Sequence, residues 1–385
     1  MNCMKRTIWL CAIAVLPVCL CLQRLAAQEF SFSGYVVDIP MYSIPYGDAY
    51  ENTLVNLTRL RLRPNLQLWD GATLALEHES VVLLSSASYF FAMESPDITN
   101  RQAVDLRWHP VREKHAYAQH FVDRLYLRQN LSWGSFVLGR QRIQWGTGRI
   151  WNPTDLFNPI NPASIDKIEK DGADAFSAKL HLGHLTDLHF IYNFRPTFDS
   201  SNIAARFRTN ISEYDLSAMS GLVDKRLVFG GDMAGNLYDA GVRAEALWVG
   251  ESEDGRRDSY LRWIFGADYQ LTSRLYLMLE YLYNGEGIND PKRYDYSRLF
   301  RGEILNLNRK YLYLGAMYQL HPLVLTTVGF NANTNDGSGF VLANAVYSSS
   351  DNSMLSAGLL LPFGSQTDEY RIYPTMFYAK AEFHF

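Results

Sequence analysis

Cysteine is scarce in this chain of 385 residues: there are four, at Cys3, Cys11, Cys19 and Cys21, and none beyond. A region without cysteine has no disulfide staples, no thiolate metal sites and no thiol nucleophile. Positive charge is not in excess either. Taking Lys5, Arg6 and Arg24 of the leader described below off the 36 basic residues leaves 33 against 40 acidic ones, a net charge near −7. Nucleic-acid binding, which needs a basic face, is therefore not expected. No segment after Leu22 is long and apolar enough for a membrane helix, which takes ~20 residues. A GxSxG nucleophile elbow is missing too. Gly230-Gly231-Asp232 with Gly235 lacks the Lys-Ser/Thr of a phosphate loop and reads as a strand kink or hairpin. Nothing marks an enzyme, and no cofactor is expected.

The first 27 residues have a basic start at Lys5 and Arg6, an apolar run from Trp9 to Leu22, and small residues at Ala26 and Ala27. That order is a secretory signal, with cleavage expected between Ala27 and Gln28. Residues 28–385 then form one exported domain.

From Phe30 onward, apolar and polar residues alternate over roughly ten positions, then break at a turn. In Arg59-Leu60-Arg61-Leu62-Arg63-Pro64-Asn65-Leu66-Gln67-Leu68, the leucines share one face and the polar residues the other. Asp70-Gly71 makes a tight turn. Paired strands flank Trp133-Gly134, Gly183-His184, Thr272-Ser273 and His321-Pro322, and Phe340 to Tyr347, Met354 to Leu361 and Ile372 to Phe385 end the chain. Longer connections fall at about Ser85 to Ala118, Gln144 to Gly172 and Gly285 to Asn308. Aromatic residues make up 14% of the chain, and high aromatic content without apolar runs suits strands that are apolar on one face only. These features predict an all-β fold, a transmembrane antiparallel up-and-down barrel with long loops on its outer side. A direct count gives 17 strands, and the up-down parity fails between Arg195 and Val249. Such barrels usually have an even number, so 16 strands are preferred, with 18 as the alternative.

In a barrel the polar faces look into the lumen. The candidate lining residues are Arg59, Arg61, Arg63, Glu77, Glu79, Arg124, Arg128, Arg140 and Arg142, which would form either a field that sorts anions or a salt-bridge network. The segment from Gly139 to Asp174 holds three Asn-Pro pairs, at 152–153, 158–159 and 161–162, which disfavour helix and strand. A connection this long is usually functional. An inward constriction would use Arg149, Asp155, Asp166, Lys167, Glu169 and Lys170; a surface loop is the alternative. His181, His184 and His189 span a strand, a turn and the returning strand, so a shared metal geometry is not expected. Trp69, Trp133, Tyr281, Tyr283, Tyr311 and Tyr313 suit the headgroup boundary, or an inward stack on sugars.

The leader, the alternating strands with short and long connections, and the terminal AKAEFHF together resemble the outer-membrane porin superclass of Gram-negative bacteria. Phe377, Ala379, Ala381, Phe383 and Phe385 share one face, which resembles the C-terminal signal read by the barrel-assembly machinery. The arginine-rich face is similar to that of alginate-export barrels. The RQRIQWGTGR–WNPTDLFNP segment resembles one found in porin-like barrels without an assigned substrate. The resemblance implies a cell outer-membrane location, lipid around the barrel, and a passive channel for small hydrophilic or anionic solutes. A plugged barrel that exports or anchors a polysaccharide is the alternative, and an outer-membrane hydrolase a further one.

Overall fold

The computed structural model describes residues 29–46, 51–87, 101–157, 171–255, 257–300, 304 and 306–385. The leader read at 1–27 lies outside them. Among the described residues there are nineteen strands: β1 (Phe30–Ile44), β2 (Thr53–Trp69), β3 (Ala72–Ser85), β4 (Arg107–Arg112), β5 (Ala116–Leu131), β6 (Gly134–Gln141), β7 (Ala173–His181), β8 (Asp187–Asn193), β9 (Asn202–Ile211), β10 (Tyr214–Val223), β11 (Arg226–Leu237), β12 (Ala240–Val249), β13 (Tyr260–Gln270), β14 (Leu275–Asn284), β15 (Lys310–His321), β16 (Val324–Asn333), β17 (Gly339–Ser350), β18 (Ser353–Phe363) and β19 (Thr375–His384).

Apart from β4, each strand pairs antiparallel with the next in the circuit, and β19 returns to β1, with Tyr35 opposite His384 and Ile44 opposite Thr375. The short β4 stands outside this circuit, because β3 pairs directly with β5. The barrel therefore has eighteen strands, and the preference for sixteen is corrected. Closure matters physically: an open edge in hydrocarbon would leave backbone groups unpaired at several kcal/mol each.

Eight connections of two to five residues lie at the end where β1 starts and β19 ends; the nine at the other end include 86–115, 142–172 and 285–309. Two of those nine fall in the same short range, 334–338 with five residues and 224–225 with two. Asp224-Lys225 is a two-residue turn on the long-loop side, between the equally tight turns at 212–213 and 238–239. Ser212, Glu213, Asp224, Lys225 and Tyr238 all have positive φ. Such turns normally call for Gly or Asn, and neither stands here.

The strand alternation sets two faces. Outward stand Leu54, Leu125, Leu138, Phe207, Phe229, Trp248, Phe265, Leu314, Phe377 and Phe383, all exposed, which gives an apolar band suited to lipid. Phe385 continues it. Trp69 and Trp133 are exposed at the short-turn end, and on the outer face Tyr283 stacks on Trp263 while Tyr281 lies tilted against it. Tyr311 and Tyr313 differ from the boundary reading: register puts them opposite Asn333 and Asn331 on the inner face. Gly230, Gly231 and Gly235 lie within strand β11.

Candidate functional site

The inner face of β2, β3 and β5 holds a dense ionic cluster. Arg61 stands opposite Glu79, and Glu77 opposite Arg124. Arg61 is only 2% exposed. Its Nε and Nη2 donate to Glu77 Oε2 at 2.9 and 2.7 Å, its Nη1 to Glu79 Oε2 at 2.7 Å, and Nη2 also reaches Asp123. Arg59 Nε is 3.0 Å from Glu79 Oε1, Arg63 Nε is 3.3 Å from Glu77 Oε2, and Arg124 Nη1 is 2.8 Å from Asp123 Oδ2. Asp123 takes part through a bulge. The register runs from Glu77–Arg124 to His78–Val122 and leaves Asp123 as the extra residue, so two successive side chains turn inward. Strict alternation would have sent Asp123 into the lipid.

Arg140 requires a correction. It pairs with Leu125 and Asp174 and shares the outward parity of exposed Leu138, so it does not line the lumen. Instead it closes a seam. Above the Leu125–Arg140 pair, β5 leaves β6 and is joined by β4. There Arg140 Nε donates to Asp174 Oδ1 at 2.7 Å, and its Nη atoms donate to the carbonyls of Val122 and Val104. Asp174 Oδ2 accepts from the Ala103 and Val104 amides at 2.7 and 3.1 Å. Buried backbone groups orphaned by the split are thereby paired.

Residues 142–157 enter the barrel. Glu245 and Glu280 stand midway along β12 and β14, on the inward parity. Glu245 accepts from the backbone amides of Thr147, Gly148 (2.6 Å) and Thr154 (3.1 Å), and from Thr154 Oγ1 at 2.7 Å. Glu280 accepts from the amides of Arg149, Ile150 and Trp151 at 2.8, 3.2 and 2.6 Å. A backbone bonded to inward carboxylates lies inside the barrel. Side chains reinforce the docking. Ile143, Trp145 and Phe157 pack on the inner faces of β7 to β12, among Ala175, Ile191, Ala204 and Leu247. Trp151 packs on Ile264, Leu282 and Tyr311, and Trp145 Nε1 donates to His189 Nδ1 at 3.1 Å. Gly146 has a φ of +89°, and a Cβ there would lie 2.8 Å from Glu245 Oε1, so this tight approach needs glycine.

Arg128, Arg142 and Arg149 are exposed and make no ion pair among the described residues; Arg128 lies over the Tyr126 ring. Asp155 is half-buried, its amide donating to Asn152 O. Asp166, Lys167, Glu169 and Lys170 lie outside the described residues. Sequence reasoning missed Asp123, Glu245 and Glu280. Each glutamate is the one acidic residue of a largely apolar strand, AGVRAEALWV and LYLMLEYLYN, which is the signal that could have found them.

Above β14 to β18 the connections are tied to one carboxylate. Glu369 Oε1 accepts from the Leu307 amide at 2.9 Å; Oε2 accepts from Tyr311 Oη at 2.5 Å and from Asn333 Nδ2 at 2.8 Å. Burial, with Asp336 close by, pushes Glu369 up to about 7 against those hydrogen bonds. Glu286, on a neighbouring loop, goes the other way. Burial would raise it, but Arg262 and Arg298 hold it below the usual glutamate value.

No protein-family model matches the chain, and no curated protein matches it in sequence. Solved structures do match. OccAB4 of Acinetobacter baumannii superposes with a TM-score of 0.61 at 8% identity, covering 93% of this chain and 98% of that one. OccD3 (OpdP) of Pseudomonas aeruginosa gives 0.54 at 10% identity, covering 92% and 91%. The fold is that of Gram-negative outer-membrane porins. At these identities the likeness concerns the porin fold and leaves the solute open.

Proposed function

We propose that the chain is an outer-membrane channel through which small hydrophilic solutes diffuse, anions in preference. The observation that carries this reading is the inward loop, held at mid-depth on the lumenal wall by Glu245 and Glu280. A barrel that narrows itself halfway selects by radius and by the charges at the narrowing, without chemistry. The sign of those charges supports the anion preference. Both anchoring carboxylates are consumed by backbone amides, whereas Arg142 and Arg149 are exposed and unpaired among the described residues.

Purified protein in a planar bilayer is expected to give discrete conductance steps, with a reversal potential in a salt gradient displaced toward that of the anion. A silent bilayer, together with saccharide binding by calorimetry, would replace the channel by a plugged barrel that anchors or exports a polysaccharide.

A further inference from the structure

The short helical turn Glu369–Ile372, in the connection between β18 and β19, buries its first two side chains, Glu369 and Tyr370. The partners of the Glu369 carboxylate are all neutral: the Leu307 amide, the Tyr311 hydroxyl and the Asn333 side-chain amide. Its charged neighbour is another acid. Asp336, in the connection 334–338, accepts from the Tyr294 hydroxyl at 3.2 Å and from the Glu369 amide at 3.0 Å. The other titratable groups around this pair are Tyr294 and Tyr296 from 285–309, Tyr311 from β15, and Asp368, Tyr370 and Tyr373 from its own connection. Glu286, on 285–309, is already bonded to Arg262 and Arg298.

Tyr311 links this cluster to the narrowing. Its hydroxyl donates to Glu369 Oε2, and its ring is fully buried between Tyr370 and Trp151, with centroids 6.3 and 6.2 Å away. Trp151 belongs to the inward segment, and its amide donates to Glu280. The connection 285–309 touches that segment as well, because Asn306 shares a small cavity with Trp151, Asn152 and Pro153. Asn284 Nδ2 fixes the Asn306 and Asn308 carbonyls at 3.3 and 3.0 Å. Two packed rings therefore join a carboxylate in the loops to one end of the segment that narrows the lumen. The other end, at Trp145, lies on β7 to β12.

We propose that Glu369 is a positioning residue for the narrowing: through Tyr311 it holds the Trp151 end of the inward segment while protonated and releases it on ionising. Its effect on solutes rests on the channel reading above, but the coupling needs no conducting lumen. The cause is solvation. A carboxylate that becomes charged among neutral donors and beside Asp336 is better served by water. It reaches water only by parting from Tyr311 and Leu307. A buried phenol without its acceptor is costly, so Tyr311 follows, and Trp151 loses the ring packed on it. Burial pushes Glu369 up to about 7, which puts the release near neutrality and on the alkaline side.

Amide hydrogen exchange of the full chain in vesicles, read as protection relative to free peptide at each pH, follows both ends of the segment. Between pH 5 and pH 8 the Trp151 amide should lose protection about tenfold, an ordinary size for coupling between two sites. The Thr147 and Gly148 amides, held by Glu245 on the other wall, should keep theirs. Glu369→Gln, an isostere of the protonated acid, should leave Trp151 protected at both pH values. Tyr311→Phe should keep the pH dependence at Leu307 and remove it at Trp151, which a merely structural role would not do. In a planar bilayer, open-channel noise should rise over the same range and stay low in Glu369→Gln. A silent bilayer with this exchange pattern intact removes the channel and keeps the positioning role. Equal protection of Trp151 at both pH values, or a loss that Glu369→Gln does not prevent, overturns the proposal.

Discussion

From β2 to β13 the inner face carries Arg59, Arg61, Arg124, Arg206, Arg243 and Arg262, each within hydrogen-bonding reach of an Asp or Glu. From β14 to β18 it carries Tyr276, Met278, Tyr313, Met317, Thr327, Asn331, Leu342, Asn344 and Leu360, with Glu280 the one charge among them. The first wall is held by charges that satisfy one another, the second by rings and aliphatic chains that need no partner. The inward loop spans both: its Trp145 end packs on the charged side and its Trp151 end on the uncharged side. Charge inside a barrel is thus no measure of selectivity until the pairs are subtracted, because a paired arginine contributes little field to a passing ion.

The contrast breaks most sharply at Arg61. Arg61→Leu leaves Glu77, Glu79 and Asp123 facing one another, and should cost about 3–5 kcal/mol of stability, read from urea unfolding in vesicles. Met317→Leu on the opposite wall should change it by less than about 1.5 kcal/mol. Equal costs would mean that the charged wall is not held by its pairs.

Glu369 and Glu286 carry the contrast into the loops. The folded-state value of Glu369 is raised above its unfolded 4.5, so its contribution is fully present below pH 4.5 and is lost as pH rises through about 7. Over that range the difference is on the order of 3 kcal/mol. Loop amides such as Leu307 should be better protected from hydrogen exchange at pH 5 than at pH 8, and Glu369→Gln should flatten that dependence. Glu286, held low by two arginines, predicts the opposite sign in acid: its contribution is lost as pH falls through the folded value.

A smaller effect is expected on the uncharged wall. A Cβ at Gly329 would sit 2.5 Å from Tyr313 Oη, so the ring lies flat against a strand with no side chain there. Gly329→Ala should push Tyr313 into the lumen at a cost of about 1–3 kcal/mol, and should lower single-channel conductance. Unchanged conductance would place the narrowing elsewhere. The smallest shift is for Arg142→Gln with Arg149→Gln, which should move the reversal potential toward the cation without changing stability by more than about 0.5 kcal/mol; an unmoved potential would remove them from selectivity.

Much of the barrel is visible in the sequence, because a side-chain period of two survives wherever lipid and water hold opposite faces. The β2–β3 hairpin around Asp70-Gly71 and the strands from β13 to β19 fall close to where alternation puts them. The count failed where turn chemistry is silent: Ser212-Glu213 and Asp224-Lys225 adopt positive φ with no Gly or Asn to announce it, and one of these turns replaces a long loop. The arginines are legible in the sequence, but charge alone misplaces Arg140 in the lumen, although Phe136 and Leu138 share its parity. Asp123 was hidden because a bulge arises from three strands meeting and leaves no local pattern. The segment 142–157 was legible as a special loop from its glycines and prolines. Its anchors lie about a hundred residues away, where only tertiary structure joins them.

Glu245 and Glu280 hold the segment 142–157 inside the barrel. Single-channel conductance of the chain with Glu245→Ala and Glu280→Ala, compared with the unmutated protein, tests this directly. A freed loop predicts clearly larger or strongly fluctuating steps while the barrel remains folded by circular dichroism. Steps of unchanged size and steadiness in a folded double variant would contradict it.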